Sequence, residues 1–501
     1  MLNVNKTFGD DWSLTANVGA SLNNIKTDEL SYRGPIQENG LPNIFNVFDL
    51  DDTKKRAEKV GWHDQTQSVF ASVEVGWKQM LYLTATGRND WASQIAGSPS
   101  KSFFYPSVGL SWVPSSTWDL GNAFSYLKLR GSIASVGLPF PRFLTTPTYE
   151  YDATGKIWKD KTHYPIGDLK PERTITYEVG IDARLWKNIS LSASWYSADT
   201  KNQTFDPALP PSSSYTTIYL QTGHVRNTGV ELSLGYSNQW RDFGWSSNFP
   251  FSCNKNEIID LASGALNPVT GQPLNLSELD IKGLGKAKYI LKQGGTLGDL
   301  YTTSDLKFND NGYVEVDKAG NLLLTDEGDQ IYLGSVFPSE NLAWRNDFRY
   351  KGINLGLLFT GRIGGICYSA TQANMDLYGV SEVSAAARDA GGVLINGREM
   401  VDAQKWYQAI GSQSGLPQYY TYSATNFRLQ ELSLGYTLPR KWFRNKMGLT
   451  VSFVGRNLWM IYCKAPFDPE AVASTGLSYQ GIDYFMMPSL RSLGFNVKFE
   501  F

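Results

Sequence analysis

The sequence predicts an all-β fold, an antiparallel transmembrane β-barrel of which about 14–16 strands lie in this chain, with long extracellular loops and short periplasmic turns. Three observations support this prediction. Polar and apolar residues alternate in one segment after another, which is the period of a strand with two different faces. The connections between these segments alternate between short and long. The composition, with 13% aromatic residues and 47 glycines, suits strands with aromatic girdles and small interior residues.

The carboxy-terminal segment, Ser492–Phe501, shows the alternation without interruption. One face carries Leu493, Phe495, Val497, Phe499 and Phe501, and the other carries polar or small residues. A strand with this pattern can place its apolar face against outer-membrane lipid and its polar face against water. A strand that ends on an aromatic residue also resembles the signal read by the bacterial barrel-assembly machinery. We therefore assign Phe495, Val497, Phe499 and Phe501 to a barrel-assembly signal.

Similar alternation recurs along the whole chain and predicts about fourteen strands. They lie near residues 12–24, 66–77, 80–88, 104–113, 127–136, 174–185, 189–200, 229–237, 245–254, 341–350, 353–363, 426–438, 447–456 and 490–501. The connections are short at 78–79, 114–126, 186–188, 238–244, 351–352 and 439–446, and long at 25–65, 89–103, 137–173, 201–228, 255–340, 364–425 and 457–489. This order is typical of outer-membrane barrels, whereas a soluble sandwich or propeller has no physical reason to keep it. Within the long segments, 381–390 and 401–410 are predicted as short helices.

Composition argues against several other classes of protein. The formal net charge is −2 and the isoelectric point is about 6.1, so no basic field favours nucleic acid. No run of about 18 apolar residues is present, which excludes a membrane-spanning helix. Cys253, Cys367 and Cys463 have no zinc-ligand spacing, so we expect neither a disulfide framework nor a metal site. The amino terminus lacks the pattern of a signal peptide, so we expect the chain to be the carboxy-terminal portion of a longer protein.

The sequence shows no arrangement that indicates catalysis. Asp468 and Glu470 could be the paired carboxylates of a glycoside hydrolase, but nothing in their proline-containing loop fixes their separation, so a structural role is favoured. His63, His163 and His224 are scattered and have no serine or cysteine partner in the sequence pattern. We therefore expect no enzymatic activity, no catalytic residue and no cofactor.

Several phrases between about residue 80 and the carboxy-terminus resemble those of one family of membrane proteins. They are Asp168–Thr174 with Tyr177–Asp182, Asn227–Leu232, Ser252–Ile258, Phe427–Leu429 with Leu434–Pro439, and Gly455–Leu458 with Phe467–Glu470. In this order they resemble the SusC/RagA-like family, the TonB-dependent outer-membrane transporters of Bacteroidetes that import glycans and, in some members, peptides. Each phrase alone is weak, but five in the family's order identify the resemblance.

The resemblance implies a complete barrel of about 22 strands, a plug domain and a TonB box ahead of the strands. We expect no plug within residues 1–501, which form one domain, the carboxy-terminal portion of the barrel. The implied partners are a SusD-like lipoprotein, the TonB–ExbB–ExbD complex acting through the missing plug, and an oligosaccharide or peptide ligand. The loops 137–173, 255–340, 364–425 and 457–489 are expected to contact the lipoprotein and the nutrient. Asn309–Gly312 departs from the family's calcium-loop-like stretch, so no calcium site is expected.

Two groups of residues are candidates for contact with ligand. Tyr419, Tyr420 and Tyr422 could stack on sugar rings, and they could equally belong to an interfacial aromatic belt. The second group lies on the predicted interior face and comprises Lys128, Arg130, Glu178, Asp182 and Arg184. The commoner role of such residues is a polar lining that hydrates the lumen or contacts the plug. The alternative is that they line the path of the substrate.

Two other functions remain open from the sequence. One is a passive porin or outer-membrane scaffold without TonB coupling, and the other is a soluble glycan-binding β-protein. A sheet with two unjoined edge strands would expose unpaired backbone N–H and C=O groups to lipid. We therefore expect this portion alone not to insert stably into the membrane.

Overall fold

The computed structural model describes residues 1–40, 46–121, 123–145, 149–152, 157–160, 163–164, 169–205, 217–261, 272, 276–326, 328, 330–474, 476 and 479–501. A single 15-stranded antiparallel sheet dominates it, and consecutive strands of that sheet are hydrogen-bonded neighbours from first to last. Within the described residues no helix is long and apolar enough to cross a membrane.

The strands of this sheet account for all of the strands predicted from the sequence. They are β1 (Leu2–Phe8), β2 (Trp12–Arg33), β3 (Arg56–Trp77), β4 (Leu81–Ala92), β5 (Phe103–Trp112), β6 (Phe124–Leu138), β7 (Glu172–Leu185), β8 (Ile189–Phe205), β9 (Leu220–Trp240), β10 (Phe243–Asp260), β11 (Glu340–Tyr350), β12 (Ile353–Ile363), β13 (Asn426–Leu438), β14 (Gly448–Cys463) and β15 (Ser492–Glu500). Of the strands in this sheet, the sequence analysis missed only β1, a short strand that pairs with the start of β2. The predicted all-β antiparallel fold is confirmed.

Each strand presents an apolar face outward and a polar face to the interior. On the outer face, Val179, Trp195 and Val230 are direct neighbours on three adjacent strands, and all three are exposed. On the inner face, the next residues along these strands form a row of glycine, serine and glutamate, comprising Gly180, Ser194 and Glu231. Exposed apolar side chains in a continuous band are costly in water, whereas they are the normal surface of a barrel strand in lipid.

Aromatic pairs lie beside the short turns, as expected for an interfacial girdle. Ring centroids are 6.3 Å apart in Trp12–Trp77, 5.6 Å apart in Trp112–Trp118 and 6.2 Å apart in Trp245–Phe348. These pairs therefore indicate one level of the membrane–water boundary, at the rim with the short turns.

The alternation of short and long connections is confirmed at every position but one, because 93–102, predicted as long, has ten residues and the turn 113–123, predicted as short, has eleven. Short turns occupy 9–11, 78–80, 113–123, 186–188, 241–242, 351–352 and 439–447, and long segments occupy 34–55, 93–102, 139–171, 206–219, 261–339, 364–425 and 464–491. Parts of these long segments, including Asp168 and residues 206–216, lie outside the described residues. In the turn between β11 and β12, Lys351 and Gly352 have φ of 47° and 91°. A Cβ at Gly352 would meet the Thr437 carbonyl at 2.8 Å, so this turn requires glycine.

Three long segments fold together into one body on the rim opposite the short turns. We call the described residues of 276–339, 364–425 and 464–491 the cap. It contains three helices, α1 (Ala370–Leu377), α2 (Glu382–Asp389) and α3 (Ala403–Ile410). The predicted helices at 381–390 and 401–410 are therefore confirmed as α2 and α3, whereas α1 was not predicted.

Short strands and 3₁₀ turns complete the loops. A four-stranded antiparallel sheet consists of Glu278–Leu284, Ala287–Lys292, Asp299–Thr302 and Ile331–Ser335, and a three-stranded mixed sheet consists of Ile366–Ser369, Thr421–Ser423 and Ile482–Asp483. Two-stranded pairs are Val393–Ile395 with Glu399–Val401, Tyr149–Asp152 with Ile157–Asp160, and His163–Tyr164 with Thr217–Ile218. The 3₁₀ turns are Val47–Asp49, Ser93–Ile95, Pro114–Ser116, Pro417–Tyr420 and Arg440–Phe443.

The largest hydrophobic core lies in the cap and continues onto the barrel rim. Tyr289 and Tyr368 are fully buried within it. Phe205, Val225 and Ile258, at the loop ends of β8, β9 and β10, belong to the same cluster. Because apolar burial stabilises a contact in proportion to area, the cap is packed against this sector of the rim as a folded unit.

Candidate functional site

The mixed sheet of the cap joins chain segments that are far apart in the sequence. Ile366–Ser369 pairs antiparallel with Thr421–Ser423 and parallel with Ile482–Asp483. The Tyr289 hydroxyl donates a hydrogen bond to the Gln480 carbonyl and so connects the four-stranded sheet to the last long loop. All three long loops that form the cap are thus held together at one point above the rim.

Beneath this sheet, a buried arginine on β13 holds the last long loop to the barrel wall. The Arg428 guanidinium donates to both carboxylate oxygens of Asp468, at 2.8 and 3.0 Å, and lies 3.2 Å from Glu470. It also donates to the Asn426 side-chain oxygen at 3.1 Å. Arg428 is 4% exposed and the Asp468 side chain 10%. A bidentate pair, in which the planar guanidinium group donates two parallel hydrogen bonds to one carboxylate, is the strongest geometry for such an ion pair.

The electrostatics of this pair favour the charged carboxylate. Burial alone would raise the pKa of Asp468, but hydrogen bonds from Arg428, Ser489 and the Glu470 amide lower the pKa below its ordinary value of 3.8. The two motif phrases that contain Arg428 and Asp468 therefore meet in space. Asp468 and Glu470 have the structural role favoured by the sequence, because both carboxylates pair with Arg428 and Arg362 lies 3.5 Å from Glu470.

A pH dependence follows from the lowered pKa of Asp468. A carboxyl whose folded pKa lies below its unfolded value adds stability that is complete above about pH 3.8 and is lost as the pH falls through the folded pKa. We expect hydrogen exchange in residues 464–491, corrected for intrinsic rates, to accelerate below that pH. In Asp468→Asn the loop should exchange faster than in the wild type above about pH 3.8 and respond less to acid. An equal acid response in both proteins would contradict this role of Asp468.

The three candidate tyrosines lie in the cap, on the 3₁₀ turn Pro417–Tyr420 and the strand that follows it. Tyr420 is 3% exposed and belongs to the hydrophobic core, so its ring is covered by protein. The Tyr422 ring packs edge-on against Phe467 at 6.0 Å. Tyr419 is 38% exposed. The structure therefore leaves Tyr419 as the ring of this group with the most open surface, and the stacking role stays a prediction.

The interior face carries the predicted polar residues together. Arg130 forms an ion pair with Glu178, and its Nε lies 3.5 Å from Asp182. A cavity of about 390 Å³ on this face is lined by Arg130, Glu231 and serines of neighbouring strands. The pairing of Arg130 with Glu178 and Asp182 favours a hydrated polar lining, because these three charges already interact with one another.

The remaining sequence candidates are placed as follows. Within the described residues, no group of three or more His, Cys, Asp or Glu side chains could hold a metal ion. The side-chain oxygen of Asn309 accepts from the Asn311 and Tyr313 amides and so closes a turn. Phe495, Val497 and Phe499 lie exposed on the outer face of β15, and Phe501 follows the strand. Their role as an assembly signal stays a prediction.

Comparison with known proteins agrees with this architecture. Residues 1–336 match the family model described as TonB dependent receptor-like, beta-barrel. The chain belongs to this family. It is 25% identical to TonB-dependent receptor P3 of Formosa agariphila over 99% of its length and 23% identical to receptor P26 over 98%, and in each case it covers 52% of the relative. The chain therefore spans about half the length of these curated relatives.

Solved structures share the fold. The structure of the RagAB peptide transporter superposes with a TM-score of 0.71 at 19% identity, over 99% of this chain and 54% of the other. The open-open state of the RagAB peptide importer gives a TM-score of 0.70 at 17% identity, over 99% of this chain and 53% of the other. At such identities the likeness shows the fold, and the family match confirms the predicted TonB-dependent receptor barrel. The family is one of receptors and transporters.

Proposed function

We propose that this chain forms the barrel wall and external cap of a TonB-dependent importer that takes up nutrients across the outer membrane of a Gram-negative bacterium. The observation that carries the proposal is the division of the large sheet into an apolar outer face and a polar inner face, with a folded cap on one rim only. A lipid-facing wall with a hydrated interior is a passage, and a packed cap at its external end is where a ligand first meets the protein.

The proposed partners follow from the same arrangement. A SusD-like lipoprotein would cover the cap, and TonB–ExbB–ExbD would act through a plug seated against the paired charges of the interior face. Outer-membrane lipid would cover the apolar band, after insertion by the barrel-assembly machinery through the β15 signal. The proposed ligands are oligosaccharides first and peptides second; the RagAB neighbours are peptide importers by description, and the tyrosine-rich 3₁₀ turn favours sugars.

Uptake measurements test this function directly. We expect deletion of the gene at its own locus to abolish accumulation of a fluorescent oligosaccharide or peptide that the parent strain takes up. A proton uncoupler should have the same effect, because import through TonB requires the inner-membrane gradient. Restoring the gene should restore both uptake and its sensitivity to the uncoupler.

The two alternative functions give different results in the same experiment. Uptake that depends on the gene but survives the uncoupler would indicate a passive pore. Recovery of the protein in the soluble fraction, with glycan-binding activity, would indicate a soluble glycan-binding protein. Either result would overturn the proposed function.

A further inference from the structure

The cavity of about 390 Å³ on the interior face is a recess in the barrel wall, across strands β8 to β11. Its floor is made of short side chains, because serine, alanine and proline occupy the inward positions of these four adjacent strands. The floor residues are Ser192, Ser194, Ser233, Pro250, Ser252 and Ala343. Short side chains together in one patch of the wall leave room for a group that enters from the lumen.

A row of polar side chains crosses the recess from strand to strand. Ser194 of β8 pairs directly with Glu231 of β9. Glu231 pairs in turn with Ser252 of β10, which pairs with Asn341 of β11. Because Cβ atoms at directly opposite positions are about 4.5–5.5 Å apart, one group in the recess can reach several of these side chains at once.

Arg130 borders the recess on the side of β6. Its guanidinium lies against Gly180, where a Cβ would approach the Arg130 Cζ to 2.9 Å. This arginine is already paired with Glu178, and its Nε lies 3.5 Å from Asp182. One arginine thus faces two carboxylates, so the border of the recess is negative even before Glu231 is counted.

Two polar side chains in the recess have no partner among the residues that the structure describes. Ser194 is 8% exposed, and its hydroxyl makes no hydrogen bond there. Among the described carboxylates of β6–β13, only Glu231 has neither a hydrogen bond nor an ion pair. A buried hydroxyl and a carboxylate that both lack partners indicate a ligand that brings hydrogen-bond donors and positive charge.

We propose that this recess binds the ammonium or guanidinium group of an organic cation, with Glu231 as the counter-charge and the hydroxyls of Ser194 and Ser252 as acceptors. Such groups carry about three to five donors and no acceptor, which matches a carboxylate flanked by hydroxyls. A metal ion fits less well, because the described part of the chain holds no group of three or more His, Cys, Asp or Glu side chains suited to one. The inference goes beyond the proposed function, since it needs only a hydrated interior.

The basic group can come from either of two sources. A transported cation would enter the recess from the lumen. A lysine or arginine of the same protein would instead occupy the recess whenever that part of the protein lies inside the barrel. Both sources use the same chemistry, but they differ in whether the recess is open to small molecules.

Thiol labelling at position 252 tests the proposal with the protein expressed from its own locus, in isolated outer membranes. Ser252→Cys is combined with Cys253→Ala and Cys463→Ala, while Cys367 is buried. Rates with cationic aminoethyl methanethiosulfonate and anionic sulfonatoethyl methanethiosulfonate are each divided by the rate with a free thiol. In an open recess we expect the cationic reagent to react about tenfold faster, because Glu231 attracts one reagent and repels the other. Glu231→Gln should reduce this ratio to about twofold or less.

Glu74→Gln is the matched control. Glu74 is a carboxylate of β3 that accepts a hydrogen bond from Thr84 and lies several strands from the recess, so its removal should leave the ratio unchanged. If a transported cation is the ligand, trilysine should protect position 252 from labelling and triglutamate should not. If a side chain of the protein fills the recess, both reagents should react slowly, and Glu231→Gln should accelerate them about tenfold.

Three results would overturn the proposal. The first is the same charge preference in Glu231→Gln as in its parent. The second is an open recess that trilysine does not protect, and the third is slow labelling that Glu231→Gln does not relieve. Import itself is measured separately by the uptake experiment above, so none of these results decides it.

Discussion

Replacing Arg428 by alanine is expected to lower the free energy of opening the cap by about 3–5 kcal/mol. Arg428 is nearly inaccessible and makes two hydrogen bonds to Asp468 as well as a close contact with Glu470. Removing one partner of a buried ion pair leaves the other charge without water or counter-charge, which costs more than the pair itself contributes. The rate of proteolysis within 464–491, measured in increasing urea under native conditions, reports this free energy.

An exposed arginine on the neighbouring strand provides the control. Arg456 pairs with Glu431 at 3.0 Å, but its side chain is 67% exposed, so Arg456→Ala should cost less than about 1 kcal/mol. In the double variant Arg428→Met with Asp468→Leu, much of the loss should be recovered, because neither charge is then buried alone. Equal effects of Arg428→Ala and Arg456→Ala would show that the junction does not hold the cap.

The strands could be predicted from sequence because their two faces meet different solvents. Along β9, Val230, Leu232 and Leu234 face lipid while the residues between them face the interior, and that difference is visible in a single sequence as a period of two. The predicted strand ends were wrong where the two faces of a strand no longer meet different solvents. β2 and β3 continue as a paired hairpin out to Arg33 and Arg56, beyond the apolar band, where both faces meet water and the alternation fades.

The cap could not be predicted as a folded unit, because its core is assembled from distant segments. Tyr368 and Ile482 pair through a parallel bridge although they lie in different long loops, and neither segment has a period of its own. Helices α2 and α3 were predicted from local sequence, and each begins at a side-chain N-cap, Ser381 and Asp402. Local signals thus identified the pieces, whereas their packing depended on contacts with no local signal.

Prediction of the candidate site from local sequence met the same limit. Arg428 and Asp468 both stood in recognised phrases, but forty residues separate them in the chain, and nothing in either phrase names the other. Tyr420 was a reasonable candidate from composition, since it lies beside two other tyrosines. Only the fold shows that its ring is inside the core while the ring of Tyr419 is outside.

Placing an arginine on the outer face of the barrel is expected to destabilise it by about 2–4 kcal/mol near the middle of the bilayer. Leu234 suits this test, because it is exposed on the outer face of β9 and pairs with Leu191 and Phe249 on the same face. In Leu234→Arg a charge must enter the hydrocarbon region or draw water and headgroups toward it. The fraction of heat-modifiable, folded protein in outer membranes, and its unfolding in denaturant, measure the loss.

The preceding residue is the matched control, since Ser233 faces the interior and pairs with Ser192 and Pro250. An arginine there remains in contact with water, so Ser233→Arg should fold nearly as the wild type does. A soluble protein with a dry core behind Leu234 would also lose stability in Leu234→Arg, but detergent or lipid would then make no difference to folding of the wild type. Folding of the wild type that requires lipid, together with a large effect at 234 and a small one at 233, is the pattern that only a lipid-facing wall produces.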